Sequence, residues 1–246
     1  MARAVAVLGM NRSGTSSLAG LLRDSGFHLG NVRERSSHNP KGNLENPAIW
    51  QLHDDVLAKN FGSWDKPPSS DLRWDEEHKL RLKKIIEKFQ GHELWAVKDP
   101  RMVFTLDAWL GFVPHLELMG TFRHPVAVAL SLQKRNGLSI PVGIDLWHNY
   151  NKKLIEIWDR RPFGIVNFDL ASEAYLDQFL LALFDLGHTV DRTQLTFFKP
   201  GLRTCSAPQD IEATREARLL YDRLLEIQAG GLSQTEIRRA GDRTAK

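Results

Sequence analysis

Residues 4–22 read AVAVLGMNRSGTSSLAGLL. Ala4 to Gly9 is an unbroken apolar run of the kind that fills a strand buried on both faces. It breaks at a Gly-rich turn, after which Thr15 to Ser25 follows a helical pattern. A turn between a strand's end and a helix's start aims several backbone N–H groups and the positive end of the helix at one spot. That is a ready site for a tetrahedral anion such as phosphate or sulfate. Gly9 and Gly14 keep the G-x-x-x-x-G spacing of a P-loop, yet Thr15-Ser16 stands where that motif has Lys-Ser/Thr, and the positive charge lies inside the loop at Arg12. Without the lysine that bridges β- and γ-phosphates, ordinary ATP chemistry is disfavoured. The plain alternative is a turn whose glycines serve packing alone, but strand, spacing, arginine and hydroxyls coincide against it. Arg12, Ser13, Gly14, Thr15, Ser16 and Ser17 are therefore the candidate anion ligands.

Outward from this loop, short apolar runs alternate with longer helical patterns and no repeat or low-complexity linker intervenes, which reads as α/β with a mostly parallel sheet. Leu94 to Lys98, Leu116 to Phe122 and Gly164 to Phe168 read as further strands, and Leu195 to Phe198 as a weaker fifth. Asn46-Pro47 has the form of a cap with proline at the first helical position, opening a helix to about residue 60. In Asp75 to Gln90 the apolar Leu82, Ile85, Ile86 and Phe89 fall on one face of a charged helix. Pro125 opens another helix, followed by Gly143 to Asp159, Ser172 to Leu186 and Ile211 to Gln228, the last expected to close at Gly230-Gly231. Residues 1–230 then form one domain and the polar stretch 231–246 a flexible tail. Asn31 to Leu44 and Gly62 to Trp74 read as loops; Trp64 and Trp74 in the second suit either a local mini-core or an acceptor-binding wall.

Composition bounds the rest. At 246 residues, 42% hydrophobic and 26% charged, the chain has the make-up of a soluble domain with a real core. Its longest apolar run, Phe179 to Phe184, is six residues, far below the ~20 of a membrane span. The N-terminal stretch lacks the pattern of a secretory signal. A single cysteine, Cys205, fits a reducing compartment, so a cytoplasmic location is expected. The net charge of +3 gives no argument for nucleic-acid or membrane binding.

A second anion site is legible further along. The strand ending at Phe122 runs into Arg123-His124-Pro125, and Ser131 follows about two turns up the helix, on the order of 9 Å along its axis. An arginine fork and a hydroxyl so spaced can converge on a second phosphate; alone, Arg-x-Pro before a helix is also a plain capping turn, and the pair gains its weight from the first loop.

The combination resembles the PAPS-dependent sulfotransferase family, whose first loop, (K/R)-S-G-T-(T/S), holds the 5′-phosphosulfate and whose Arg and Ser eight positions apart hold the 3′-phosphate; here these are Arg123 and Ser131. Asn39-Pro40-Lys41-Gly42 with Glu45 is similar to the N-P-K-G-x-x-E segment of bacterial members. Lys98-Asp99-Pro100-Arg101 is similar to their K-D-P-R strand end, and Val166-Asn167-Phe168-Asp169-Leu170 resembles V-x-Y-E-D-L with Phe and Asp substituted. The likeness covers roughly residues 4 to 200. It implies a P-loop-like three-layer α/β fold with a mostly parallel central sheet flanked by helices, PAPS as donor, no metal, and a small-molecule or saccharide acceptor. Ser17 stands where cytosolic vertebrate members keep an adenine-stacking aromatic, Phe198 to Arg203 only loosely replaces their R-K-G-x-x-G motif, and Pro100 occupies the place of their basic histidine.

In-line sulfuryl transfer requires two positioned oxygens, stabilised charge on the bridging oxygen, and a base for the acceptor proton. Arg12 is the candidate for that charge. Lys98 is a second cation, or else the partner of Asp99 or another carboxylate. Glu45 is the candidate base, since members without the histidine use a Glu in this part of the chain; a local role at a helix N-terminus competes with it. His53, among Ile49, Leu52 and Val56, reads as a half-buried structural histidine, and His38 is a minor candidate. Arg33, Arg35 and Lys41 suit either an acidic acceptor or a solvated loop face. Two other readings compete: a P-loop kinase or NTPase-like phosphotransferase, with Asp99 near a metal-holding strand end, and a nucleotide binder without turnover.

Overall fold

The computed structural model describes residues 3–34, 41–199, 201, 207–208 and 210–244, with the backbone alone for 231–244. Arg35, His38, Asn39, Pro40, Leu202, Arg203 and Cys205 lie outside the described residues.

Four strands form one parallel sheet: β1 (Arg3–Leu8), β2 (Leu94–Lys98), β3 (Glu117–Phe122) and β4 (Gly164–Asn167), in the order β2-β1-β3-β4. The register sets Val7 against Lys98, Leu8 against Gly120, and Phe122 against Asn167. The carboxyl ends of all four strands therefore meet at one edge, where ligands of open α/β sheets bind.

Period-two alternation assigns the faces. Ala4, Ala6 and Leu8 join Val97, Leu118 and Phe122 on one side, while Val5 and Val7 join Ala96, Met119 and Val166 on the other. The second face is covered by α1 (Thr15–Asp24) and α7 (Ser172–Asp185). The first is covered by α2 (Pro47–Lys59), α3 (Glu76–Glu87), α4 (Met102–Phe112), α5 (Pro125–Asn136), α6 (Ile140–Arg160) and α8 (Arg215–Thr244). Burial on both faces explains why the strands read as continuous apolar runs. The result is the three-layer, P-loop-like α/β fold.

Three expectations change. Leu195–Phe198 is not a strand: the backbone N–H groups of Thr196 and Phe197 donate to the Asp24 carboxylate, each at 2.6 Å, and Phe197 fills the space beside Gly20. Its apolar residues pad the end of α1 and do not extend the sheet. The helix α4, for which no pattern was read, follows β2 directly; it is apolar almost all round, so a 3.6-residue stripe does not stand out, and it buries Met102, Val103, Leu106 and Trp109. Finally, α8 begins at Arg215 and its backbone stays helical through Gly230-Gly231 to Thr244 instead of closing there.

Candidate functional site

The loop between β1 and α1 is shaped by residues in left-handed conformations. Gly14 has φ +94°, and Arg12 adopts φ +68°, an uncommon value for a residue with a side chain. A Cβ on Gly14 would lie 2.4 Å from Cδ2 of Phe168, so the ring from the end of β4 closes down on the loop only because glycine is there. Thr121 Oγ1 donates to the Ser13 carbonyl at 2.9 Å and pins the loop to β3. No side chain caps α1, so its first-turn N–H groups keep their donor capacity for a ligand. The hydroxyls of Ser13 and Ser17 are buried with no hydrogen-bond partner. A buried hydroxyl without a partner is costly in a native fold, and both belong to the loop and the first turn of α1, the segment read as the anion site. The residues present thus fit the group the loop suggests.

Arg12 leaves this loop and crosses to α5, where its Nε donates to Ser131 Oγ at 2.7 Å. Arg12 of the first loop and Ser131 of the second motif are therefore in direct contact. Arg123, 4% exposed at the end of β3, is oriented by Asp169: its Nε donates to Oδ1 at 2.9 Å, while the His124 backbone N–H donates to Oδ2 at 2.7 Å. The Arg123 guanidinium lies 5.4 Å from the centre of the Phe168 ring, and Trp147 Nε1 donates to the Arg123 carbonyl at 2.8 Å. Asp169 as the partner of Arg123 was missed in the sequence; the only signal was its place in Val166-Asn167-Phe168-Asp169-Leu170. Tyr221 of α8 was missed too. Its ring packs on His124 at 5.0 Å and its hydroxyl is pushed up to about 12 by burial and by the nearby Asp169 charge. His124 is shifted down by burial and by Arg123, against the pull of Asp169.

Lys98 is 3% exposed. Its Nζ donates to Glu45 Oε1 at 2.5 Å and to the Asn43 carbonyl at 3.1 Å. Ser16 Oγ donates to the same Asn43 carbonyl at 3.0 Å, tying the loop before α2 to α1. The partner of Lys98 is thus Glu45 and not Asp99. The cap of α2 is Asn46, whose Oδ1 accepts from the Ala48 N–H at 3.0 Å, so Glu45 is not needed for that role and turns to the strand ends instead.

His53 is fully buried, not half-buried. Trp109 Nε1 donates to its Nε2 at 2.9 Å, and Nδ1 lies 3.4 Å from Asp99 Oδ1. It takes no part in the strand-edge constellation. Burial works against ionisation of Asp99, but His53 and Arg101 hold its carboxyl down to about 2. Lys41 turns away from the strand ends, donating to the Phe197 carbonyl and lying over the Phe197 ring. Arg33 lies 5.3 Å from the Trp50 ring centre. Trp64 and Trp74 are partly buried and pack against the main core. A cavity of about 510 Å³ beside Trp74, between α4 and α6, includes none of the candidate site residues. Among the described residues, no group of three or more His, Cys, Asp or Glu is arranged to hold a metal, and no helix is long and apolar enough to cross a membrane.

Comparison with solved structures finds two bacterial sulfotransferases to which this chain is similar. Sulfotransferase STF1 from Mycobacterium tuberculosis H37Rv aligns with a TM-score of 0.46 and 16% identity over 94% of this chain and 77% of that one. The sulfotransferase from Alicyclobacillus acidocaldarius aligns with a TM-score of 0.47 and 15% identity over 96% of each chain. No family model matches the sequence, and no curated protein matches it.

Proposed function

We propose that the chain is a sulfotransferase that moves a sulfuryl group from PAPS to an acceptor hydroxyl and releases adenosine 3′,5′-bisphosphate. The acceptor is a small molecule or saccharide: a sugar, a lipid head group or a natural product. The observation that carries this reading is the 2.7 Å contact between Arg12 and Ser131. It brings a phosphate-type loop and a second anion motif onto one ligand volume, as a donor with two separated phosphate groups demands.

PAPS supplies a sulfuryl group on a bridging oxygen, open to in-line attack. The N–H groups of the loop and α1, with the hydroxyls of Ser13, Thr15, Ser16 and Ser17, hold the 5′-phosphosulfate. Arg12 and Lys98 balance the charge that gathers on the bridging oxygen and transferring group. Arg123 and Ser131 hold the 3′-phosphate, and Asp169 keeps the Arg123 fork oriented from its Nε edge. Glu45 takes the acceptor proton; Lys98 occupies its Oε1, and Oε2 is the atom assigned to the proton.

The test is incubation with PAPS and a panel of acceptor classes, read as a mass gain of one sulfuryl group together with release of adenosine 3′,5′-bisphosphate. Transfer to one class supports the reading. Absence of transfer to every class, with no thermal stabilisation by adenosine 3′,5′-bisphosphate, overturns it.

A further inference from the structure

Glu45 and Lys98 belong to different elements. Glu45 directly precedes the Asn46 cap of α2, and Lys98 ends β2. A second, partly buried set of contacts joins the same two elements behind the pair. Arg101, in the turn after β2, grips Asp54 of α2 through Nε and Nη2 at 2.5 and 3.2 Å. Its Nη1 reaches both oxygens of Asp99 at 3.2 and 3.1 Å, and its backbone N–H donates to Asp99 Oδ1 at 2.8 Å. Asp99 is 1% exposed and faces His53, which Trp109 fixes from α4.

Burying this much charge is a poor way to gain stability, because well-packed apolar residues of similar volume usually do as well or better. What a two-pronged arginine–carboxylate contact adds is fixed geometry. The same stretch of α2 is also held by non-directional apolar contact through Ile49, Leu52 and Val56, by Trp109 and Thr105 on His53, and by Arg81 on Asp55, but those polar contacts tie it to α4 and α3 and not to the end of β2. The Asp54–Arg101–Asp99 cluster, with the Asp99–His53 contact behind it, is therefore the polar link that joins α2 directly to the turn after β2.

We infer that Asp54, Arg101 and Asp99, backed by His53, are positioning residues that set the separation of Glu45 from Lys98 for proton removal from the acceptor. This rests on the reading of Glu45 as the proton acceptor. It also gives the Lys98-Asp99-Pro100-Arg101 segment a division of labour: the lysine faces the site while the aspartate and arginine fix where it stands.

Asp54 is the position to test, since its side chain is 36% exposed and Asp54→Asn leaves the core filled. Asp54→Asn should lower kcat on the order of 10–100-fold, the cost of a small misplacement of reacting groups. The Kd of adenosine 3′,5′-bisphosphate should stay at the wild-type value, and Asp54→Glu should recover part of the lost kcat. In a Glu45→Gln background, Asp54→Asn should cost little further kcat, because the group it positions is already disabled. Unchanged kcat in folded Asp54→Asn, or a loss that multiplies in full on Glu45→Gln, overturns the inference. Should Glu45→Gln alone keep its turnover, the base assignment fails on its own. The positioning inference is then decided by melting temperatures: the coupling between Glu45→Gln and Lys98→Met must shrink when Asp54→Asn is added, and undiminished coupling overturns it.

Discussion

Arg12 Nε and Ser131 Oγ lie 2.7 Å apart although 119 positions separate them in sequence. Arg12 belongs to the loop read as an anion site, and Ser131 to the helix opened by Arg123-His124-Pro125, a turn that alone also reads as a plain cap. Their contact brings the two segments side by side, and the ligand proposed for them carries two separated anionic groups. Adenosine 3′,5′-bisphosphate should accordingly raise Tm well above the shift given by adenosine 5′-phosphate. Arg123→Ala should weaken the bisphosphate by about 1.5–3 kcal/mol, the worth of hydrogen bonds to a charged group, and Ser131→Ala by less. Titration calorimetry on the two variants checks both; wild-type affinity in each would place the second phosphate elsewhere.

The close approach of Phe168 to Gly14 makes a separate prediction about the loop. Alanine at Gly14 meets two obstacles, φ +94° and a ring carbon 2.4 Å from the new Cβ. Gly91, at φ +98° with nothing within 4 Å, meets only the first. Gly91→Ala should cost about 1–2 kcal/mol, the left-handed penalty alone. Gly14→Ala should cost more and should weaken bisphosphate binding, which Gly91→Ala should leave intact. Chemical denaturation and calorimetry on the pair separate the two terms. Equal stability losses would mean that the Phe168 ring yields freely.

These elements show why some of the molecule was legible and some was not. The β1 loop and the caps at Asn46 and Pro125 are local, so a few adjacent residues carry the whole signal. Contacts made by folding leave no such trace. Nothing near Lys98 in sequence says that Glu45 will meet it, nor does Asp169 announce itself as the partner of Arg123. The helix α4 escaped because it is apolar nearly all round: its outer face carries Ala108, Gly111 and Phe112 with Asp107 as the one charge, so no polar face gives a period. Leu195 to Phe198 misled for the converse reason, since an apolar run reports burial and not hydrogen-bonding partners. Its backbone N–H groups go to Asp24.

Sulfuryl transfer should proceed without divalent cation, because the transferring group carries less charge than a γ-phosphoryl and Arg12 and Lys98 are placed to balance it. Turnover in EDTA should equal turnover in magnesium. Loss of activity in EDTA with recovery on adding magnesium would favour the phosphotransferase alternative.

Asp99 makes stability depend on pH in a defined window. Its folded carboxyl is held at about 2, below the 3.8 of the unfolded chain, against burial and through His53 and Arg101. A depressed folded pKa means that the unfolded state takes up the proton first on acidification. The stabilisation is therefore complete above about pH 4 and is lost as pH falls toward about 2. Asp99→Asn removes the titration. The gap in stability between wild type and Asp99→Asn should be widest near neutrality and should narrow through that window, as followed by urea denaturation. A gap that stays constant from about pH 5 to about pH 2 would show that Asp99 is not held ionised by its neighbours.

Glu45 is the residue proposed to take the acceptor proton, and that role is tested most directly. Its carboxylate is 16% exposed and tied to Lys98 at 2.5 Å, so it stands at the strand ends with one oxygen committed and the group fixed in place. Glu45→Gln keeps the shape and a carbonyl oxygen for Lys98 but cannot take a proton. Turnover should fall about 10²–10⁴-fold, the worth of a positioned base. Binding of adenosine 3′,5′-bisphosphate should hardly change, because Arg123 and Ser131, to which its 3′-phosphate is assigned, are not partners of Glu45. Two other outcomes are informative. Joint loss of turnover and nucleotide affinity would mean that Glu45 serves to hold Lys98 and, through Asn43, Ser16. Near-normal turnover would remove Glu45 from the chemistry; fully buried His53, with its Nε2 occupied by Trp109, is no ready substitute, so the proton acceptor would then have to come from the loop before α2 or from the acceptor itself.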